Sequence, residues 1–125
     1  MLQFESNDAP RRTLLRLAHR VPLRRLLEEA VALAFAVPPE AMRARSRGAA
    51  DIAFARQSAM YLAHVMLGLS YSEVGRLFRR DRTTARYACQ LVEDRRDDPT
   101  IDRKLDTIEQ VCGELFCAPS RAVLQ

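Results

Sequence analysis

Apolar residues recur along this chain at three- and four-residue steps, the spacing that lines one side of an α-helix. Leu26, Leu27, Ala30, Val31, Ala34 and Phe35 predict a helix over residues 23–36 with a single inward face. Pro38 and Pro39 stop it, and Pro39 suits the first turn of a short helix ending near residue 44. Ala59, Met60, Ala63, Met66 and Leu67 predict a buried helix over 53–67, terminated by Gly68. Val74, Leu77 and Phe78 form the inner side of a further helix, and Ala85, Ala88, Cys89 and Val92 that of the next. A last helix is expected over 101–116. Upstream, residues 10–19 can form a short basic helix with Leu14, Leu15 and Leu17 as a partial stripe, closed by Val21-Pro22. Ala, Leu and Arg are plentiful and β-branched runs are absent, so the expected fold class is all-α.

Local signals are densest between residues 68 and 84. Ser70-Tyr71-Ser72-Glu73 has the spacing of a capping box, in which serine and glutamate each bond the other's backbone amide. Gly75 stands among the inward residues, where a missing side chain lets another helix approach. Arg79 and Arg80 make a short turn, and Asp81 caps the helix that follows. At about 100° per residue, Thr83, Arg86, Tyr87 and Gln90 fall opposite the apolar stripe, with Arg82 and Thr84 on its flanks. No carboxylate follows Asp81 until Glu93. Two short helices, a tight turn and an inner stripe of small residues suit a groove-reading helix-turn-helix. Periodicity alone also fits a solvated surface helix of an α-bundle.

Length limits the chain to one ordinary domain: it has 125 residues. The net charge of +4 is unevenly distributed. Ten arginines face six acids in residues 1–60 and five face two in 61–92, whereas residues 93–125 hold five basic groups and eight acids. An acidic tail thus masks a basic body that a polyanion would meet. Every basic residue except Lys104 is arginine, whose planar fork suits phosphate and guanine edges, although GC-rich coding produces the same bias. Cys89, Cys112 and Cys117 are odd in number and not closely paired, which argues against a disulfide framework and suits a reducing compartment. His19 and His64 share no metal-ligand spacing with them, so no zinc site is expected. The longest apolar run, residues 30–39, is too short to span a bilayer, and a cytoplasmic location is expected.

Residues 56–90 carry a more specific signal. They run from Arg-Gln-Ser-Ala-Met-Tyr-Leu-Ala through Ser-Tyr-Ser-Glu-Val-Gly-Arg-Leu-Phe to Arg-Asp-Arg-Thr-Thr-Ala-Arg-Tyr-Ala-Cys. This stretch resembles the C-terminal DNA-binding domain of the bacterial replication initiator family DnaA, whose pattern is roughly R-Q-x-A-M-Y-L-A, S-x-x-E-I-G-x-x-F, then G-G-R-D-H-T-T-V. The resemblance implies a Trp-repressor-like helical fold. It implies that Arg56 touches phosphate and that Ser70, Tyr71 and Ser72 approach the DNA backbone. Arg80, Asp81, Thr83 and Thr84 match the signature of the recognition helix, Asp81 accepting from a cytosine amino group and the threonines meeting phosphate or thymine methyl. Arg79 and Arg86 join them as outward donors. Arg45 or Arg47 would be the basic-loop arginine that enters the minor groove, and spacing leaves both open. In two respects the sequence departs from the pattern: Arg82 replaces the histidine, and the paired glycines give way to a shorter turn containing Arg79.

The expected organisation is an N-terminal extension over 1–22, partly flexible with its short basic helix, a DNA-binding domain over 23–118 and a flexible tail over 119–125. The expected function is sequence-specific binding of double-stranded DNA at initiator-type boxes, regulating replication initiation as a monomer and competing with the full-length initiator for sites. The alternatives are a transcription regulator using the same reader and an adaptor that binds a protein through its N-terminal helices. The glycines are Gly48, Gly68, Gly75 and Gly113, so no phosphate loop of the GxxxxGK[ST] kind occurs. No catalysis, cofactor or metal is expected, and the chain is read as a free-standing reader without the initiator's ATPase.

Overall fold

Six helices appear in the computed structural model, which describes residues 23–43 and 49–124, with side chains to Glu114. They are α1 (Leu23–Phe35), α2 (Pro39–Arg43), α3 (Ala50–Leu67), α4 (Tyr71–Phe78), α5 (Arg82–Arg95) and α6 (Pro99–Leu124). The described residues hold no strand, and the fold is all-α as the periodicity predicts. The expected segment 1–22 and the loop arginines Arg45 and Arg47 lie outside the described residues.

The core is organised around α3. Ala55, Ala59, Leu62 and Ala63 are wholly buried on it, with α1 packed on one side and α5 on another. Three alanines among these positions keep the helix narrow, so neighbouring helices can approach its backbone. Because α3 is covered nearly all round it lacks a single apolar face. That is why the pattern marked only its later part and began it at 53, three residues late. Leu26, Leu27 and Val31 of α1, Val74 of α4, and Ala85, Ala88, Cys89 and Val92 of α5 complete the centre. Leu105, Ile108 and Cys112 bring α6 onto it.

Two expectations are corrected at the C-terminal end. The last helix begins at Pro99 and runs to Leu124, through most of the expected tail. Pro119 lacks the amide that a helix interior uses, but Arg, Ala and Leu beyond it are good helix formers. The charged run 93–98 contains a tertiary anchor. Arg96 donates to Asp102 at 2.6 Å, Glu109 at 3.0 Å and the Tyr61 hydroxyl at 3.1 Å, while Tyr61 donates to Glu93 at 2.9 Å. Burial opposes the charge on Arg96, but its bonds to Glu109, Asp102 and Tyr61 outweigh that and raise its pKa. This cluster ties α3, α5 and α6 together.

The turn between α4 and α5 is the tightest feature. Gly68 ends α3 in the left-handed region, at φ 69°, and the capping box at Ser70 opens α4 with both bonds formed. Ser70 donates its amide to Glu73 Oε1 at 2.8 Å, and Glu73 donates its amide to Ser70 Oγ at 3.2 Å. Arg79 then takes φ 58° and ψ 44°, which returns the Arg80 amide to the Gly75 carbonyl at 2.8 Å. A Cβ at Gly75 would lie 2.6 Å from the Arg80 carbonyl oxygen. The glycine therefore accommodates the turn's own returning backbone, and not another helix as the sequence suggested.

Opposite stability changes are expected at these two residues. Gly75→Ala must displace backbone and should lower the unfolding free energy by about 1–3 kcal/mol. Arg79→Gly removes the left-handed penalty of a side-chain-bearing residue, partly offset by unfolded-state entropy, and should raise it by about 0.5–1 kcal/mol. Urea denaturation followed by circular dichroism measures both, and a stabilised Gly75→Ala would disprove the close approach.

Candidate nucleic-acid interface

Helix α5 has two chemically distinct sides. Ala85, Ala88, Cys89 and Val92 are buried, whereas Arg82, Thr83, Thr84, Arg86, Tyr87 and Gln90 are exposed. Tyr87 stands 60% exposed, an unusual state for a large aromatic in the middle of a helix. Asp81 caps the helix by accepting the Thr84 amide on Oδ1 at 2.7 Å. The Thr84 bonds hold its carboxyl below the ordinary range, and those from Ser70 do the same for Glu73. Asp81 therefore stays ionised at the start of α5 while stabilising the helix.

Other expected site residues are placed unevenly. Ser72 is exposed on the first turn of α4, but the Ser70 hydroxyl is occupied by its cap. Tyr71 is half-buried and stacks on His64 with ring centroids 4.6 Å apart, while His64 Nδ1 lies 2.7 Å from the Leu69 carbonyl oxygen. Its ring thus fixes the entry to α4. Arg56 on α3 donates from Nε and Nη2 to the Ala41 carbonyl, at 3.2 and 2.8 Å, clamping α2 just before the loop. Burial lowers its pKa first, and the neighbouring positive charge of Arg80 lowers it further.

A cleft of about 530 Å³ brings Arg56, Arg79 and Arg80 together with three residues that were not singled out as site residues, Arg24, Glu28 and Arg43. Arg24 donates to the Leu77 carbonyl at 3.1 Å and lies 3.6 Å from Glu28, one turn along α1. Arg43 lies 3.7 Å from the other oxygen of Glu28. The Glu28 side chain is only 5% exposed. Burial raises its pKa, against the lowering influence of Arg24, Arg43 and Arg25. In sequence, Arg24 and Glu28 were visible only as a helical i,i+4 pair, and Arg43 as the start of the basic loop.

Elsewhere the chemistry is quiet. Burial pushes the thiols of Cys89 and Cys112 up to about 11, which makes them core residues without nucleophilic character. The Cys117 side chain lies outside the described ones. Among the described residues no group of three or more His, Cys, Asp or Glu is placed to hold a metal ion. No described helix is long and apolar enough to cross a membrane.

Comparison with known proteins agrees with this geometry. The family model for the bacterial dnaA protein helix-turn-helix matches residues 25–92, from within α1 through most of α5. The chromosomal replication initiator protein DnaA of Thermodesulfovibrio yellowstonii is 33% identical over 92 residues, which are 71% of this chain and 21% of that protein. That of Lactococcus lactis subsp. cremoris is 39% identical over 62 residues, 48% of this chain and 14% of the relative. That of Bartonella quintana is 41% identical over 61 residues, 47% and 12% of the two chains. The chain thus spans a small share of each relative's length.

The caps make the helix-turn-helix sensitive to acid. The folded pKa values of Asp81 and Glu73 lie below their ordinary 3.8 and 4.5. Their stabilisation is therefore full above those values and is lost as pH falls through the folded ones. Glu28 acts with the opposite sign, since its raised pKa lets the folded state take up a proton first as pH falls towards 4.5. In an Asp81→Asn/Glu73→Gln double variant, the melting temperature should fall less steeply than in wild type between about pH 5 and 3. Parallel profiles would refute the role of the two carboxylates.

Proposed function

Because the chain belongs to the bacterial DnaA helix-turn-helix family, we propose that it binds double-stranded DNA sequence-specifically at initiator-type boxes and regulates replication initiation. The observation that carries this reading is the exposed side of α5, which presents Asp81, Arg82, Thr83, Thr84 and Arg86 beside an arginine-lined cleft. A helix in the major groove meets donors and acceptors on base edges, and phosphates flank it on both sides. Asp81 is exposed beside its capping bonds, and its carboxylate has lone pairs that can accept from a cytosine amino group. Arg82 reaches guanine or phosphate, and the Thr83 and Thr84 hydroxyls and methyls serve phosphate or thymine. Arg79 and Arg80 meet the backbone before the helix enters the groove, and Ser72 meets it at the start of α4.

Some roles become sharper. Arg56 acts from behind the interface as well as through its charge, because it holds the carbonyl of Ala41 where the chain leaves α2. Arg45 or Arg47 is assigned to the minor groove, immediately beyond that clamp. Ser70 and Tyr71 shape the entry to α4. The protein acts without catalysis, binds an asymmetric site as a monomer in the cytoplasm near the nucleoid, and competes with the full-length initiator for sites.

Site selection from random duplexes tests the reading. A relative of the family's nonamer box is expected, altered at the bases opposite Arg82, and recovery of the unmodified family consensus would remove that shift. Arg82→Ala should cost about 1–3 kcal/mol on the preferred duplex and relax preference at its own base pair. Asp81→Asn keeps the cap and should change preference at a neighbouring pair without lowering helix content. Arg56→Ala should weaken all duplexes alike and reduce the salt slope by about one unit. If none of these changes alters a footprint, α5 is not the reading helix.

A further inference from the structure

Five arginines converge on one cleft, and among the described residues the only carboxylate lining it is Glu28. They come from α1, from the end of α2, from α3 and from the turn before α5, so the tertiary fold assembles them. Such a concentration of like charge opposes folding unless something offsets it. Here Glu28 offsets it incompletely. Its ion pairs are long, 3.6 Å to Arg24 and 3.7 Å to Arg43. Its Oε1 and the Arg43 Nη1 are both buried without a hydrogen-bond partner. Buried charged atoms that hold an attraction but no hydrogen bond are poised for a better partner. Arg80 adds positive charge beside Arg56, and that charge acts unfavourably on the Arg56 guanidinium.

We propose that this cleft is an oxyanion pocket that seats a phosphodiester of the DNA backbone, with Glu28 as a built-in counter-ion that the phosphate displaces from Arg43. The inference rests on the DNA-binding reading for the identity of the phosphate and on the cleft itself for the site. Arg43 at the end of α2 and Arg79 and Arg80 just before α5 all line the cleft, so a strand reaching the N-terminus of α5 would pass it. On entry, the guanidinium of Arg43 exchanges a long ion pair for charge-assisted hydrogen bonds to phosphate oxygens. Glu28 retains Arg24, which stays anchored to the Leu77 carbonyl. Glu28 is accordingly a positioning residue. It holds the arginines together in the free protein and limits the affinity of the filled pocket through its like charge.

Glu28→Gln and Arg43→Gln separate these roles. With inorganic pyrophosphate as a probe, wild type should show a concentration-dependent rise in melting temperature, Glu28→Gln a larger one, and Arg43→Gln little or none. On duplex DNA, Glu28→Gln should bind about five-fold tighter to every sequence, because a nearby negative charge is gone. Arg43→Gln should bind about ten-fold more weakly, with a salt slope lower by about one unit. Arg43→Lys, which keeps the charge but not the fork, should restore the slope and only part of the affinity. The pyrophosphate arm reads the pocket and the duplex arm reads DNA. A pyrophosphate response without duplex discrimination would therefore sink the DNA reading and leave an anion site. Weaker binding by Glu28→Gln, or unchanged binding by Arg43→Gln on both probes, would overturn the pocket.

Discussion

The helix-turn-helix depends on one backbone contact, the return of Arg80 onto Gly75. The Arg80 amide bonds the Gly75 carbonyl at 2.8 Å, and the Arg80 carbonyl lies where a Cβ of residue 75 would be. The contact fixes the direction in which α5 leaves α4, because only three residues separate the two helices. It also requires Arg79 to adopt a left-handed conformation, at φ 58°. A side-chain-bearing residue there costs about 1–2 kcal/mol relative to ordinary helical backbone, and glycine would avoid most of that. Strain of this kind persists where its surroundings enforce it and where the residue serves another purpose. The side chain of Arg79 reaches the cleft, which supplies such a purpose.

Much of this was legible in the sequence, and the reason is locality. The capping box at Ser70, the cap at Asp81 and the terminator at Gly68 are short-range devices whose partners lie within four residues. The stripe Ala85, Ala88, Cys89 and Val92 is likewise carried by one helix, and all four are buried. What the sequence hid is what spans distance. Arg96 reaches Tyr61 across 35 positions and Arg24 reaches Leu77 across 53, and nothing in local spacing signals either bond. The start of α3 was hidden for another reason, since a helix buried on several sides shows no alternation to detect. Gly75 was recognised as a close approach, but its partner was misassigned, because a missing side chain does not say what fills the space.

Tertiary anchoring and outward exposure are separated along α5. Its 14 residues span about 21 Å. At the C-terminal end, Arg96 joins Tyr61, Asp102 and Glu109 in a partly buried network that fastens α5 to α3 and α6. Removing one partner from such a network leaves charges that the rest cannot satisfy. At the N-terminal end, Arg82, Thr83 and Arg86 have no part in the core, and the helix start is stabilised by the cap at Asp81. The outward residues can therefore change without unfolding the domain. Exchange of the family's histidine for Arg82 is of this kind.

The proposed pocket gives a buried Glu28 on α1 a reason to be there. A carboxylate facing only apolar neighbours would be neutral or would be selected against. Between Arg24 and Arg43 its charge is tolerated, yet neither pair is short enough to be a hydrogen bond. An arrangement optimised for stability would close those distances or replace the residues with apolar ones of similar volume. Loose pairs inside a cleft whose other described charged residues are all arginines are the arrangement expected of a charge reserve. They keep the free protein from opposing its own fold and leave donors available for a polyanion. The arginine-lined cleft and the strained turn are therefore parts of one device, since Arg79 and Arg80 enter the cleft only because Gly75 lets the backbone return.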